Sequence, residues 1–173
     1  VGDSDVSDLR GLVWGYTEQG GGTARQALQP LMLRFGFDAV ERDGVLRFVM
    51  RSGLVAADID PGVLCQGKEL AGLEEQRAAQ AETMGRVRVQ FIEQGGDFAS
   101  VTEEAVRPGD GSDVTSGQEL RLALLRGEGR QVAERWLAEA RVARDGVRFG
   151  LPPSLSGLGA GDVVRIGGDG GSY

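Results

Sequence analysis

The chain has 173 residues, enough to bury a core in one domain or two small ones, and its 29 glycines predict many turns and short strands. Its net charge of −7 and isoelectric point near 4.7 argue against a broad nucleic-acid-binding face, because phosphates need a basic surface. With no histidine and with Cys65 as its one cysteine, the sequence excludes Ser–His and Cys–His nucleophile pairs and internal disulfides, and disfavours a zinc site.

The N-terminal part predicts a strand followed by a helix. Residues 12–17 have the apolar and aromatic composition of a strand, and three glycines at 20–22 end it. Thr23 is a suitable N-cap, and the apolar residues after it recur with helical spacing as far as Phe35. Gly36 suits the C-terminal cap. Pro30 lies inside this helix and is expected to kink or shorten it.

A β-hairpin and a turn-rich stretch follow the helix. Asp43-Gly44 separates two strand-like runs, 37–42 and 45–50, and such a pair is a strong hairpin signal. Residues 53–67 are turn-rich, with the clearest turn at Asp-Pro-Gly. For residues 68–83, a polar strand and a solvated helix both stay open, since the composition favours a helix but large apolar residues are few.

The second half alternates strands with one further helix. Alternating apolar residues predict strands at 86–91 and 120–124, and residues 98–107 are expected to pair with the first of them. A helix is predicted over 130–144, with Trp136 on its apolar stripe. The last two predicted strands lie at 147–151 and 163–166.

These elements predict an α+β fold, mainly antiparallel β with two helices. We expect three segments: a β-α-β-β lobe at 1–52, a connecting segment at 53–84, and a β-rich lobe with one helix at 85–173. The glycine-rich end and the absence of an initial Met indicate a piece of a longer polypeptide. No apolar run approaches the roughly 18 residues of a membrane span, and no signal peptide is evident.

Acidic clusters are the remaining candidates for chemistry. Paired carboxylates can hydrolyse glycosides, but adjacent residues of a strand, such as Glu103 and Glu104, point to opposite faces. The other candidate pairs are Glu74-Glu75, Glu93 with Asp97, and Asp110 with Asp113. Calcium could be sought at Asp3, Asp5 and Asp8 or at Asp110 and Asp113, but neither group has the pattern of a calcium loop. A solvated surface is the favoured interpretation of all of them.

The glycines before Thr23 lack the lysine of a phosphate-binding loop, so a flexible turn and helix cap is favoured there. Four aromatic residues have the chemistry to stack on sugars or bases, although Trp136 is expected in the core: Trp14, Tyr16, Phe98 and Trp136. Four arginines on strand faces are expected in solvent, with a neighbouring subunit as the less favoured contact: Arg86, Arg88, Arg121 and Arg148. We therefore assign no catalytic, cofactor-binding or metal-binding residue and predict that the chain is not an enzyme.

Three blocks of the sequence, in order along nearly the whole chain, resemble the phage tail proteins found in alphaproteobacterial prophages and gene transfer agents. The blocks are 23–31 with 35–39 and 43–48, then 86–92 with 97–98, then 133–137 with 149–154 and 161–165. Phe91 and Phe98 stand where the family pattern has Tyr.

The resemblance implies a structural baseplate hub, built from tail-tube-like β-barrel or sandwich domains, that links the tail tube to receptor-binding or fibre parts and encloses the DNA exit channel. The implied partners are other copies of the chain in a ring, distal tail and tail-tube proteins, and fibre or receptor-binding proteins. DNA would pass through the lumen without specific binding. The implied location is the tail tip of a virion or phage-like particle assembled in the bacterial cytoplasm, with no cofactor and no membrane span.

The alternative is a carbohydrate-binding or peptidoglycan-hydrolysing domain that assists envelope penetration. Such a domain needs exposed aromatic side chains on a concave face, or two carboxylates about 5–9.5 Å apart in a cleft.

Overall fold

The computed structural model describes residues 3–18, 20–67, 72–79, 83–109 and 112–167. Within these ranges the chain forms ten strands and two α-helices. In chain order they are β1 (Ser4–Asp5), α1 (Ala24–Phe35), β2 (Phe37–Arg42), β3 (Val45–Met50), β4 (Val55–Ile59), β5 (Glu74–Arg77), β6 (Arg86–Glu93), β7 (Ser100–Val106), β8 (Thr115–Leu124), α2 (Arg126–Val142), β9 (Asp145–Arg148) and β10 (Val163–Ile166).

The chain divides into two compact units, each assembled from separate stretches of sequence. Unit 1 comprises Val1–Leu9, Phe37–Arg77 and Asp145–Tyr173, and unit 2 comprises Arg10–Gly36 and Ala78–Arg144. The predicted segments 1–52, 53–84 and 85–173 follow one another along the chain, so they partition it differently from the units. That these three segments are separate domains stays a prediction.

The first sheet of unit 1 contains the predicted hairpin. Strands β2 and β3 pair antiparallel from Phe37↔Met50 to Arg42↔Val45, and β1 adds a short parallel pairing to β3. Asp43 and Gly44 both have positive φ, at 55° and 76°, as the tight hairpin turn requires. The hairpin prediction over these residues is confirmed.

Two smaller sheets complete unit 1, and both pair residues far apart in sequence. Strand β10 runs parallel to β4, and Ile59, Val164 and Ile166 form a buried cluster between them. Between β4 and β5 the chain makes a short 3₁₀ turn over Pro61–Val63, where the Asp60 carboxylate accepts a hydrogen bond from the Gly62 N–H. Strand β5 pairs antiparallel with β9, so the polar-strand alternative holds for residues 74–77.

Unit 2 is built on a three-stranded sheet, β7-β6-β8, with β6–β7 antiparallel and β6–β8 parallel. Apolar residues of all three strands and one stripe of α2 form its core: Val87, Val89, Phe91, Ala105, Leu120, Leu122, Leu124, Val132, Ala133 and Leu137. The predicted core residue Trp136 is half-buried and packs against this cluster. Helix α2 comes closest to the sheet at Gly129, where an added Cβ would lie only 2.0 Å from Cε1 of the Phe91 ring.

Helix α1 begins and ends as predicted. The Thr23 hydroxyl accepts from the Gln26 N–H, the Gln26 side chain accepts from the Thr23 N–H, and Gly36 closes the helix at φ 70°. Pro30 does not shorten the helix, which continues through it to Phe35. Helix α2 begins four residues before the predicted start, because the Glu128 carboxylate accepts the Leu125 N–H at 2.9 Å and stabilises the first turn.

The predicted strand at 12–17 is wrong for most of its length. Within it, Tyr16 alone makes a bridge, antiparallel to Leu122 of β8, flanked by the hydrogen bonds Thr17 N–H to Arg121 O and Ala123 N–H to Gly15 O.

The α+β class is confirmed. Among the described strands, three pairings are antiparallel and three are parallel, and both three-stranded sheets are mixed. The sheets of this part of the chain have two or three strands each and do not close into the tail-tube-like barrel that the resemblance implies. A barrel closes only when its strands form one continuous hydrogen-bonded ring, whereas these strands belong to four separate sheets.

Candidate assembly surfaces

Unit 2 exposes a group of large apolar side chains at one end of its sheet. The chain leaves β6 and enters β7 at this end, β8 finishes there, and the Tyr16 bridge sets residues 12–14 beside it. The Gln94 N–H donates to the Leu124 carbonyl at 2.9 Å, which ties the β6–β7 turn to the last residue of β8. We call this group the apolar sheet end: Leu12, Val13, Trp14, Phe98 and Leu125, which are 45–65% exposed.

Phe98 is the most unusual member of the apolar sheet end. It lies in the β6–β7 turn with φ 52°, a conformation that bulky L-residues rarely adopt, and 65% of its surface is exposed. A phenylalanine here gains little from burial and carries backbone strain. Such a combination is more typical of a binding residue than of a structural one.

Sequence patterns identified only part of this surface. Trp14 and Phe98 were candidates as exposed aromatics, but Leu12 and Val13 were assigned to a strand. Leu120, Leu122 and Leu124 alternate along the strand, and Leu125 comes directly after the last of them. Because neighbouring residues of a strand point to opposite faces, this break in the alternation could have indicated that Leu125 is exposed.

Two arginines of β6 share one carboxylate of the neighbouring strand β7. The Glu104 carboxylate accepts from Arg86 Nη1 at 2.7 Å and from Arg88 Nε at 2.6 Å. Hydrogen bonds from Arg88 and then Arg86 lower the pKa of Glu104. The sequence predicted that these two arginines face solvent. In the structure they also form ion pairs with a carboxylate of the neighbouring strand. Arg121 lies in β8 of the same sheet, and Arg148 lies in β9 of unit 1.

We expect replacement of Glu104 by glutamine to lower the free energy of unfolding at pH 7. Because the pKa of Glu104 is lower in the folded chain than its ordinary value of 4.5, its ionised form stabilises the fold above that pH. The contribution is lost as the pH falls through the lowered pKa. Urea titrations at pH 7 and pH 3 should therefore show a deficit for E104Q at pH 7 that is smaller at pH 3.

Glu103 supplies the matched control for this test. It is the adjacent residue of β7, and its nearest arginine contact, with Arg126 Nη1, is 3.9 Å long. E103Q should show a smaller deficit at pH 7 than E104Q. An E104Q deficit that persists unchanged at pH 3 would show that lost packing, and not the charge, is responsible.

The carboxylates proposed from sequence do not assemble into one site. Glu103 and Glu104 bind different arginines, and Glu93 forms an ion pair with Arg126 at 2.7 Å. A general acid must keep its proton at neutral pH, whereas paired arginines favour the charged carboxylate. Glu74 and Glu75 are successive exposed residues of β5.

Two of the three N-terminal aspartates, Asp5 and Asp8, have carboxylates that accept hydrogen bonds from backbone N–H groups. The Asp5 carboxylate accepts from the Ser7 N–H at 3.0 Å, and hydrogen bonds from Ser7 lower the pKa of Asp5. Asp8 accepts from the Met50 N–H at 2.7 Å, which ties the N-terminal segment to β3. In the described part of the chain, no group of three or more Asp, Glu, Cys or His side chains is placed to hold a metal ion. The pair Asp110 and Asp113 lies partly outside the described residues, because Asp110 is not among them.

A polar cavity of about 290 Å³ lies in unit 2 between the start of α1 and β8. Its lining includes Tyr16, Glu18, Gln26, Gln118, Glu119 and Arg121. The Tyr16 hydroxyl hydrogen-bonds to the Ala27 carbonyl and to the Glu18 carboxylate. Burial, and after it the hydrogen bond to Glu18, raises the pKa of Tyr16. Tyr16 thereby fastens the preceding segment to helix α1, so its polar end is already engaged.

The net charge of the chain is confined to one unit. Counted over the sequence, unit 1 holds fourteen acidic and seven basic residues, which accounts for all of the net charge of −7. Unit 2 holds twelve of each sign and is neutral. The two units therefore differ in how they interact with other charged surfaces.

An exposed apolar surface on a well-packed mixed sheet is typical of a component of a protein assembly. A family model described as "Putative phage tail protein" matches residues 23–173. The chain belongs to this family of phage tail proteins, and as such it is a component of a virion or phage-like particle. Among the described residues, the helices are too short or too polar to span a membrane.

The solved structures that resemble the chain include these two. One is a chain in the virion of a native gene transfer agent particle, with 51% sequence identity and a TM-score of 0.88; the match covers 96% of this chain and 38% of that one. The other is the 43 kDa tail protein of prophage MuSo2 from Shewanella oneidensis, with 10% identity and a TM-score of 0.61, covering 96% and 52%. The second likeness is one of fold alone. A comparison with curated proteins finds no similar sequence.

Proposed function

We propose that the chain is a structural part of the baseplate hub at the tail tip, where it links the tail tube to receptor-binding or fibre parts and surrounds the DNA exit channel. The observation that carries this proposal is the likeness to a chain of the gene transfer agent virion over 96% of the present chain, at 51% identity. The present chain spans 38% of the length of that one. Its proposed partners are further copies in a ring, tail-tube and distal tail proteins, and fibre proteins.

The side-chain chemistry supports a role through contacts and not through catalysis. The prominent carboxylates of both units serve as partners for arginines: Glu104 for Arg86 and Arg88, and Asp38 for Arg51 at 2.6 Å. The same Arg51 hydrogen bonds lower the pKa of Asp38. Such carboxylates stabilise strand pairing and hold their charge at neutral pH.

The uneven charge supports the assignment of unit 1 to the DNA channel. DNA carries one negative charge per roughly 1.7 Å of its axis, so an acidic surface repels it within a distance of about 8–10 Å at physiological salt. Unit 1, with its net charge of −7, would let DNA pass without adhering. Neutral unit 2 is better suited to contacts with other proteins.

The position of the chain in the particle tests this proposal. In a three-dimensional reconstruction of intact particles, we expect density for the chain at the tail tip, with unit 1 nearer the central channel than unit 2. Density along the tail shaft or on the head would contradict the hub assignment. Release of peptidoglycan fragments by the purified chain would instead favour the hydrolase alternative.

A further inference from the structure

We propose that the outer edge of strand β8, next to the polar cavity of unit 2, is a binding site for an extended peptide segment of another protein. The segment pairs with β8 as an added strand and carries a basic residue two positions from an aromatic one. This inference goes beyond the proposed hub function and does not depend on it. It rests on the backbone groups of the edge, the cavity beside them, and the side chains along the edge.

The backbone of β8 has hydrogen-bonding groups that point away from its sheet. Strand β8 is the outer strand of the β7-β6-β8 sheet. It turns its even-numbered backbone groups towards β6, since the Val114 carbonyl accepts from the Arg86 N–H. Backbone groups alternate in direction along a strand, so those of the odd-numbered residues point outward, where they are a template for a further strand. These residues are Thr115, Gly117 and Glu119.

In the described part of the chain, only the far end of this edge is covered. Tyr16 bridges antiparallel to Leu122, and two backbone hydrogen bonds flank that bridge. The polar cavity of about 290 Å³ lies next to the rest of the edge, between β8 and the start of α1. Gln118 and Glu119 both line the cavity although successive side chains of a strand point to opposite faces, so the cavity lies along the edge itself. An added backbone therefore has room beside β8.

The side chains of the edge indicate what the added strand carries. Gly117 and Glu119 share one face of the sheet, next to Arg88 and Gln90 of β6. Glu119 is exposed and makes no ion pair or side-chain hydrogen bond with another described residue, so a basic residue directly opposite it is favoured. Gly117 leaves an open place on the same face, and an aromatic side chain opposite a glycine of an edge strand covers it. The basic and the aromatic residue are then two positions apart.

The sequence argues against a second copy of this chain as the partner. Among all 173 residues, no lysine or arginine stands two positions from a phenylalanine, tyrosine or tryptophan. A segment with the spacing that fits this edge must therefore come from a different protein. Main-chain hydrogen bonds supply the affinity of such an added strand, and its alternate side chains supply the specificity.

A capped peptide of the sequence Thr-Arg-Thr-Tyr-Thr is the probe, because in the antiparallel orientation its arginine lies opposite Glu119 and its tyrosine opposite Gly117. In NMR titrations of the 173-residue chain, we expect it to shift the amide signals of residues 115–119. A peptide with glutamate in place of arginine should bind about five-fold more weakly or less, because it brings like charges together. Methyl groups on the arginine and tyrosine backbone nitrogens, which face β8, should abolish binding.

Gly117→Pro is the discriminating variant, and Gly117→Ala is its matched control. Proline removes an outward N–H that β6 does not use, as edge strands tolerate, whereas alanine keeps it. A Cβ at this position meets Arg88 only at ordinary distances of 3.5 Å and more. We expect G117P to abolish peptide binding and G117A to retain it within about two-fold. Circular dichroism checks that both variants fold.

Glu119→Arg tests the same site without altering the backbone. It should reverse the preference, so that the glutamate peptide binds more tightly than the arginine peptide. Equal binding of the two peptides to the wild type would overturn the proposal, as would a folded G117P that binds like G117A. Self-association of the wild type that the arginine peptide displaces would show that a second copy occupies the edge, and the assignment to another protein would be wrong.

Discussion

Replacement of Phe91 by alanine is expected to lower the free energy of unfolding of unit 2 by about 3–5 kcal/mol. Phe91 is 1% exposed at the centre of the unit 2 core, between β8 and helix α2, so truncation leaves a cavity that rigid neighbours cannot fill. Urea unfolding followed by tryptophan fluorescence measures the loss, because Trp136 packs against the same core.

Phe98 provides the matched control for Phe91, since it is the same residue type in the turn that follows the same strand. With 65% of its surface exposed, F98A should change the free energy of unfolding by no more than about 0.5 kcal/mol. If F91A and F98A were equally destabilising, the assignment of the unit 2 core would be contradicted.

Replacement of Gly129 by alanine should destabilise unit 2 by about 3 kcal/mol, although alanine is the better helix former. The added Cβ would lie 2.0 Å from Phe91 Cε1, whereas carbon atoms in contact prefer about 3.5–4.0 Å. Neither the helix backbone nor the buried ring moves away easily, so the helix would have to lift from the sheet. Urea unfolding of G129A gives the size of the loss.

Gly127 lies in the same helix, and an added Cβ there meets nothing within 4 Å. G127A should therefore be neutral or stabilising by up to about 1 kcal/mol. Replacing the Phe91 ring with the smaller leucine side chain (F91L) should recover part of the stability that G129A loses. The two residues are in contact, so the effects of their substitutions are not additive. A G129A protein as stable as G127A would show that α2 packs less closely on β6 than described.

Local signals in the sequence predicted the elements that depend on neighbouring residues. The Asp43-Gly44 turn determines the β2–β3 hairpin, and Thr23 with Gln26 and Gly36 determines the limits of α1. The alternation of Val87, Val89 and Phe91 correctly placed a half-buried strand. In each case the information lies within a few residues of the element.

Elements stabilised by distant partners were missed or left open. Strand β4 looked like turn-rich sequence because its regularity comes from pairing with β10, about a hundred residues later. Strand β5 is exposed along its length and shows no periodicity, so its pairing with β9 determines it. The parallel pairing of β6 with β8 leaves no local signal for the same reason.

The candidate surfaces were only partly predictable. Exposed aromatics such as Trp14 and Phe98 can be suspected from sequence, but their gathering at one end of the sheet depends on the Tyr16 bridge and on the register of β6 with β8. The positive φ of Phe98 is a property of the folded turn. The uneven charge of the two units could not be predicted, because unit 1 is assembled from three separate stretches of sequence that only the fold brings together.

The parallel pairing of β4 with β10 has a consequence for synthesis on the ribosome. Strand β4 leaves the ribosome about a hundred residues before its partner, which at about 5–20 residues per second is a delay of roughly 5–20 seconds. During that interval the edge of β4 is unpaired and Ile59 has no strand to cover it, while all of unit 2 is synthesised and free to fold. Ribosome stalling after Arg144 has emerged and before β10 emerges should therefore expose nascent chains to chaperones and to aggregation through unit 1, with unit 2 already folded.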